Sequence, residues 1–279
     1  MSENPSPLRT IERSDPAIDA DGLQFVTVKS AALRRRADVS VFVPAQAREV
    51  ENLPIVLLLH GVYGSHWAWA LKGAAHLTAA RLITEDVLPP VALLMPSDGL
   101  AGDGSGYVAH SSEDAECWIV DEMPALARTI VPGCTQRSPL FVAGLSMGGF
   151  GALRLAGKYP PRIAAAAAHS AITDVAQLDA LLDHGRDDWS AAPADRSVLA
   201  ALLDAKGALP PLRFDCGRED GLFEANRALH RALAAAGVAH RYAENAGGHD
   251  WPYWARHLAD TLRFFGEVLR GTTVSEDPE

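Results

Sequence analysis

Ser146 is the residue whose surroundings ask for chemistry. In the stretch LFVAGLSMGGFGALRLAGKYP (140–160) it stands among glycines at 144, 148, 149 and 151. A glycine inside a helix costs about 1 kcal/mol relative to alanine, and glycine also weakens a strand, so backbone geometry rather than propensity calls for these residues. Gly144-Leu145-Ser146-Met147-Gly148 is a G-x-S-x-G pattern placed after an apolar strand and before a helix-compatible run. There the chain turns so tightly that the neighbours must lack side chains, which leaves the serine strained, exposed and able to act as a nucleophile. Such a hydroxyl needs a base and the base needs an orienting carboxylate, and in a strand–turn–helix setting they follow in the order Ser, acid, His.

Four histidines follow the segment FDCGRED. His230 and His257 fall in helical patterns and His240 opens a strand, whereas His249 sits in AGGHDWPYW, between the last strand and the last helix. Loops at the C-terminal ends of strands are where reactive groups converge in open α/β sheets, so His249 is the expected base. For the acid, DCGREDGLFEANRAL offers Asp215, Glu219 and Asp220. Asp215 lies within a strand, and Asp250 adjoins His249 too closely to turn back to its ring. Asp220, at the turn before a helix, is the expected partner, with Glu219 as the fallback; a helix cap is its competing role. Two backbone N–H groups must then meet a developing oxyanion. The loop of LLLHGVYGSHWAW supplies one, at Val62 or alternatively Tyr63, with Gly61 allowing close approach; Met147, just after the nucleophile, supplies the other. Tyr63, Trp67 and Trp189 are candidates to line the substrate pocket together with Gly61. GDGSG (102–106) lacks the helix start of a dinucleotide fingerprint and reads as a mobile loop near the site, GKY (157–159) lacks the rest of a P-loop, and no spacing suggests zinc. Neither a metal nor any other cofactor is expected.

The elements that must position these groups are legible as runs. Strand-like segments occur at 23–29, 39–44, 54–60, 91–96, 139–144, 163–170, 211–217 and 238–244. IVLLL, VALLM and LFVA are continuously apolar, as expected of strands buried on both faces. Leu222, Ala225, Leu229, Leu233 and Ala236 form one helical stripe; Trp254, Leu258, Leu262, Phe265 and Leu269 form another. Strand and helix alternate, which predicts a mostly parallel sheet of about eight strands with helices on both faces. The first two strands lack an intervening helix and predict an antiparallel N-terminal edge. The expected organisation is a flexible segment over 1–22, one α/β domain over 23–270 with a small insertion at 171–210, and a flexible tail over 271–279.

Composition narrows the partners. The net charge is −10, and LRRRAD (33–38) is the sole arginine cluster, so a nucleic-acid footprint is not expected. No apolar run reaches the roughly 18 to 20 residues of a membrane helix. The polar N-terminus has no apolar signal core, and three scattered cysteines suit a reducing compartment, so a cytoplasmic location is expected. A small molecule is the expected partner, and homo-oligomer formation stays open.

Four segments in order, LLLHGVYGS, GLSMGGFGAL, CGREDGLFEANRAL and GGHDWPYW, resemble the "Putative esterase" family of the α/β-hydrolase fold. That family contains esterase D (S-formylglutathione hydrolase), feruloyl and acetyl esterases, and the mycolyltransferases. The resemblance runs from about residue 23 to 268. It implies the α/β-hydrolase fold, a triad of Ser146, Asp220 and His249, an oxyanion hole at Val62 and Met147, and a serine carboxylesterase acting on a small-molecule ester through an acyl-enzyme. A thioesterase or acyltransferase with the same triad is the alternative, and an idle hydrolase fold used for binding is the reading from another class.

Overall fold

PIVLLLH and PLFVAG form the centre of the sheet because their side chains have an apolar neighbour on either face. The computed structural model describes residues 8–18, 21–100, 102–183, 189, 192 and 195–271. Among the described residues nine strands form one sheet: β1 (Leu8–Arg13), β2 (Leu23–Ser30), β3 (Arg36–Phe42), β4 (Ile55–Leu59), β5 (Ala92–Pro96), β6 (Leu140–Leu145), β7 (Ala165–His169), β8 (Leu212–Gly217) and β9 (Arg241–Asn245). Their order is β1-β2-β3-β5-β4-β6-β7-β8-β9. β1, β2 and β3 pair antiparallel, as does β3 with β5, and the strands from β4 onward run parallel.

The helices are α1 (Ala68–Leu71), α2 (Ala75–Thr84), α3 (Ala115–Cys117), α4 (Met123–Ile130), α5 (Met147–Lys158), α6 (Val198–Asp204), α7 (Phe223–Ala235) and α8 (Trp251–Leu269). Successive strand side chains point to opposite faces, and the core accordingly divides in two. Leu57, Leu59 and Val142 pack with Leu126, Phe150, Leu153, Leu202, Leu229 and Leu233 of α4 to α7. On the other face Val56, Leu58 and Phe141 pack with Leu82 of α2 and with Leu258, Leu262 and Phe265 of α8.

The alanines at 164–168, a run that favours helix by propensity, lie mostly in strand β7 because α5 lies so close that only small side chains fit. A Cβ on Gly149 would lie 3.3 Å from the Ala168 Cβ. The expectation of a flexible segment over 1–22 is corrected: Leu8–Arg13 of that stretch is the edge strand β1, with Leu8 buried. Its polar sequence hides it, because an edge strand needs few apolar contacts. The described part of 171–210 divides its contacts. α6 packs on α5, where a Cβ at Gly157 would lie 2.5 Å from the Ala201 carbonyl oxygen, and the Leu181 carbonyl accepts a hydrogen bond from the Tyr63 hydroxyl. Residues 184–188, 190, 191, 193, 194 and 272–279 lie outside the described residues. Among the described residues no helix is long and apolar enough to cross a membrane. Because β4, β6, β7, β8 and β9 are parallel, the loops that follow them gather at one edge of the sheet.

Candidate active site

At the end of β6 the chain reverses into α5 through Ser146, at φ 53° and ψ −118°. This left-handed conformation of a non-glycine residue costs on the order of 1 to 3 kcal/mol and is tolerated because glycines surround it. A Cβ on Gly144 would lie 2.2 Å from the Gly148 carbonyl oxygen, and one on Gly148 2.2 Å from the Leu59 carbonyl oxygen. Strain is therefore present as expected, but exposure is not. Ser146 keeps 4% of its surface, since the loop after β4 closes over it, with the Gly61 Cβ position 3.2 Å from the Ser146 Cβ.

His249, on the loop after β9, places Nε2 3.1 Å from Ser146 Oγ and Nδ1 2.9 Å from Asp220 Oδ2. The carboxylate contact assigns the proton to Nδ1 and leaves Nε2 to accept from the serine hydroxyl. Asp220 also performs the capping role weighed for it, its Oδ1 accepting the Leu222 N–H at 2.8 Å. Burial pushes its carboxyl pKa up, but hydrogen bonds from His249 and the Leu222 N–H outweigh burial and hold it below the usual value. The imidazole thus faces an ionised carboxylate near neutral pH.

The competing carboxylates have other partners. Glu219 accepts the Gly247 N–H, Asp250 caps α8 by accepting the Tyr253 N–H at 3.0 Å, and Asp215 is wholly buried against His169. The Tyr63 N–H points to the Asp103 carbonyl at 3.4 Å. Met147, the first residue of α5, has no acceptor for its N–H within the helix. The Val62 and Met147 side chains meet at Gly104, whose Cβ position is 2.6 Å from Met147 Sδ and 3.6 Å from Val62 Cγ2. Beneath the Val62 loop His60 is buried: its Nδ1–H donates to the Gly61 carbonyl at 2.7 Å while Nε2 accepts the Asp98 N–H at 3.1 Å.

The GDGSG segment packs on this wall, with Gly106 N–H donating to Met147 Sδ at 3.4 Å. Trp189 covers Gly106, its ring 2.6 Å from the Cβ position there, and packs against His110 at 5.1 Å between ring centroids. Tyr63 and Trp67 are exposed on the loop after β4, whereas Trp69 is core, donating its indole N–H to the Leu59 carbonyl at 3.0 Å.

Two neighbours of the site were not singled out in the sequence. Ser170, at the end of β7 with φ 48°, accepts the Trp254 indole N–H at 3.1 Å. Trp254 also stands edge-to-face with His249, ring centroids 4.9 Å apart. Trp254 was read only as part of the apolar stripe of α8, and a positive φ carries no sequence mark at a serine.

Residues 30–265 match the model of the family described as "Putative esterase". The chain belongs to this family. Membership makes it a hydrolase of the ester-cleaving kind. An acetyl esterase of Caldicellulosiruptor saccharolyticus is 28% identical over 237 residues, covering 78% of this chain and 85% of that protein. A ferulic acid esterase structure superposes with a TM-score of 0.73 at 22% identity, over 93% of this chain and 98% of the other. An S-formylglutathione hydrolase from Agrobacterium tumefaciens gives 0.72 at 19% identity, over 94% and 99%. These likenesses establish the α/β-hydrolase fold for the esterase chain.

Proposed function

We propose that this esterase is a serine carboxylesterase that hydrolyses carboxylic esters of small or medium acyl groups, with Ser146 forming the acyl-enzyme. The observation that carries the reading is the unbroken line Asp220–His249–Ser146, with contacts of 2.9 and 3.1 Å ending on a strained serine. Ser146 Oγ attacks the ester carbonyl as its proton passes to His249 Nε2, and Asp220 stabilises the imidazolium through Nδ1–H. The tetrahedral oxyanion is held by the Met147 and Val62 N–H groups. Their shared contact with Gly104 supports this pairing, and the engagement of Tyr63 N–H with Asp103 favours Val62 over Tyr63. His249 then protonates the departing alkoxide, the C–O bond to the alcohol breaks, and water attacks the acyl-Ser146 ester with His249 again as base. No cofactor enters these steps. Gly61, Tyr63, Trp67 and Trp189 line the approach, a small-molecule ester is the partner, and the reaction takes place in the cytoplasm.

A p-nitrophenyl ester series from acetate to laurate, run beside Ser146→Ala, tests this reading. Turnover that is greatest for the shorter chains and absent in the variant supports it. A folded wild-type protein that cleaves only thioesters, or that transfers acyl groups to an added alcohol without hydrolysis, overturns the carboxylesterase assignment in favour of a thioesterase or acyltransferase using the same groups.

A further inference from the structure

Where the chain leaves β4, two buried side chains hold its carbonyls. The Tyr107 hydroxyl donates to the His60 carbonyl at 3.0 Å. His60, 2% exposed, turns its ring back on its own segment, with Nδ1 2.7 Å from the Gly61 carbonyl oxygen and Nε2 3.1 Å from the Asp98 nitrogen. A backbone N–H can only donate, so Nε2 accepts from Asp98, the ring proton sits on Nδ1, and Nδ1–H donates to Gly61. The Asp98 carboxylate stands 3.7 Å from Nε2, too far for a hydrogen bond. Its oxygens accept the Leu100 N–H at 3.1 Å and the Ser105 N–H at 2.8 Å instead. The Gly61 carbonyl takes a second donor, the Gly64 N–H at 3.0 Å, and the loop closes so tightly that a Cβ at Gly64 would lie 2.7 Å from His60 Nδ1.

Two donors on one carbonyl settle the direction of a peptide plane. The Gly61 C=O and the Val62 N–H belong to one trans peptide and point opposite ways. That peptide is beside the nucleophile, since the Gly61 Cβ position is 3.2 Å from the Ser146 Cβ. We infer that His60 is a positioning residue for the oxyanion hole: its Nδ1–H holds the Gly61 carbonyl and thereby aims the Val62 N–H at the ester oxygen. The inference rests on the proposal that the Val62 and Met147 N–H groups receive the oxyanion of the Ser146 reaction. Donors fixed in advance stabilise the developing charge without reorganising during the reaction. A freed peptide could turn its carbonyl toward the site and set an acceptor where a donor is needed. The same ring ties the loop after β4 to the one after β5, whose Gly104 meets the Val62 and Met147 side chains.

The test compares His60→Asn and His60→Gln on p-nitrophenyl acetate and on its thiono analogue, in which C=S replaces C=O at the reacting carbon. Sulfur accepts hydrogen bonds poorly. The oxygen-to-sulfur ratio of kcat/KM, each value divided by its hydroxide-catalysed rate, therefore reads the oxyanion hole and is independent of the folded fraction. The Asn amide stands where Nδ1 does and can donate to Gly61, whereas the Gln amide reaches the Nε2 position and keeps only the Asp98 contact. His60→Gln is expected to lose about 10²-fold in kcat on the oxygen ester, the cost of a misplaced oxyanion donor, with KM nearly unchanged and the ratio falling similarly. His60→Asn is expected to keep most of both. A folded His60→Gln with wild-type kcat and ratio overturns the positioning role, as does a loss in both variants at unchanged ratio, the mark of a purely structural lesion. Should His60→Gln not fold, a folded His60→Asn decides: a retained ratio supports the role and a lost one overturns it. A wild-type protein with no preference for the oxygen ester overturns instead the oxyanion hole on which the inference rests.

Discussion

Two carboxylate–imidazole–hydroxyl lines lie side by side in this esterase. One runs Asp220–His249–Ser146, with contacts of 2.9 and 3.1 Å. The other runs Asp215–His169–Thr261: His169 Nδ1 is 3.1 Å from Asp215 Oδ1, and His169 Nε2 is 3.1 Å from Thr261 Oγ1. The chemical order and spacing are the same, yet the surroundings differ at every point. The His249 side chain is 37% exposed on a loop, whereas His169 is fully buried in β7, paired across the ladder with Asp215 of β8. Ser146 sits on a strained turn beside backbone donors, while Thr261 lies inside α8 among its own helical turns. The Asp215 carboxylate is occupied from all sides by His169, Arg213 and the Tyr253 hydroxyl, the last at 2.8 Å. The first line reaches the surface at His249, while Ser146 itself stays buried. The second is closed and ties β7, β8 and α8 together directly behind the site, where the His169 carbonyl also accepts the Ser146 N–H at 3.0 Å.

If the difference lies in access and strain, substitutions in the two lines must separate turnover from stability. The largest effects belong to the open line. Ser146→Ala and Asp220→Asn are each expected to lower kcat by about 10⁴-fold or more with the melting temperature little changed, as measured by ester hydrolysis beside thermal denaturation. In the closed line Asp215→Asn leaves the Arg213 guanidinium buried without its counter-charge, at an expected cost of about 3 to 5 kcal/mol. Chemical denaturation reads that cost, and turnover at low temperature should track the folded fraction.

The pH dependence of stability sharpens the contrast further. Burial pushes the Asp215 carboxyl pKa up, but His169, Arg213 and Tyr253 outweigh burial and hold it well below the ordinary range. A pKa lower in the folded than in the unfolded chain stabilises fully above the unfolded value of about 3.9 and is lost as pH falls through the folded value. The wild-type melting temperature should therefore drop on acidification below about pH 4, and Asp215→Asn should flatten that drop. The smallest effect is expected of Thr261→Val, about 1 kcal/mol of stability for the hydroxyl's hydrogen bonds with kcat unchanged. A large loss of kcat there would erase the distinction between the lines.

The open line was legible and the closed one was not, for physical reasons. G-x-S-x-G around Ser146 is a local backbone demand written in glycine, and His249 stands out because a loop after a strand offers it no other work. Asp220 was separable from Asp215 by its place at a turn, whereas Glu219, on the same turn, stayed the fallback. His169 and Asp215 meet only through the register of two strands 46 residues apart, which no local spacing encodes. The Ser170–Trp254 contact spans 84 residues and was hidden in the same way. Among elements, the apolar runs declared β4, β5 and β6, whereas β1 escaped because LRTIER draws its order from pairing with β2. Trp67 and Trp69 show the same limit in one residue type: two positions apart, one is exposed and one is core.

The most direct measurement is the mass of the enzyme quenched during turnover of p-nitrophenyl acetate, with the adduct mapped by peptide fragmentation. The account predicts one acetyl group on the peptide carrying Ser146, absent in Ser146→Ala and reduced in Asp220→Asn. An acetyl adduct on another residue, or turnover that persists in Ser146→Ala, would contradict it.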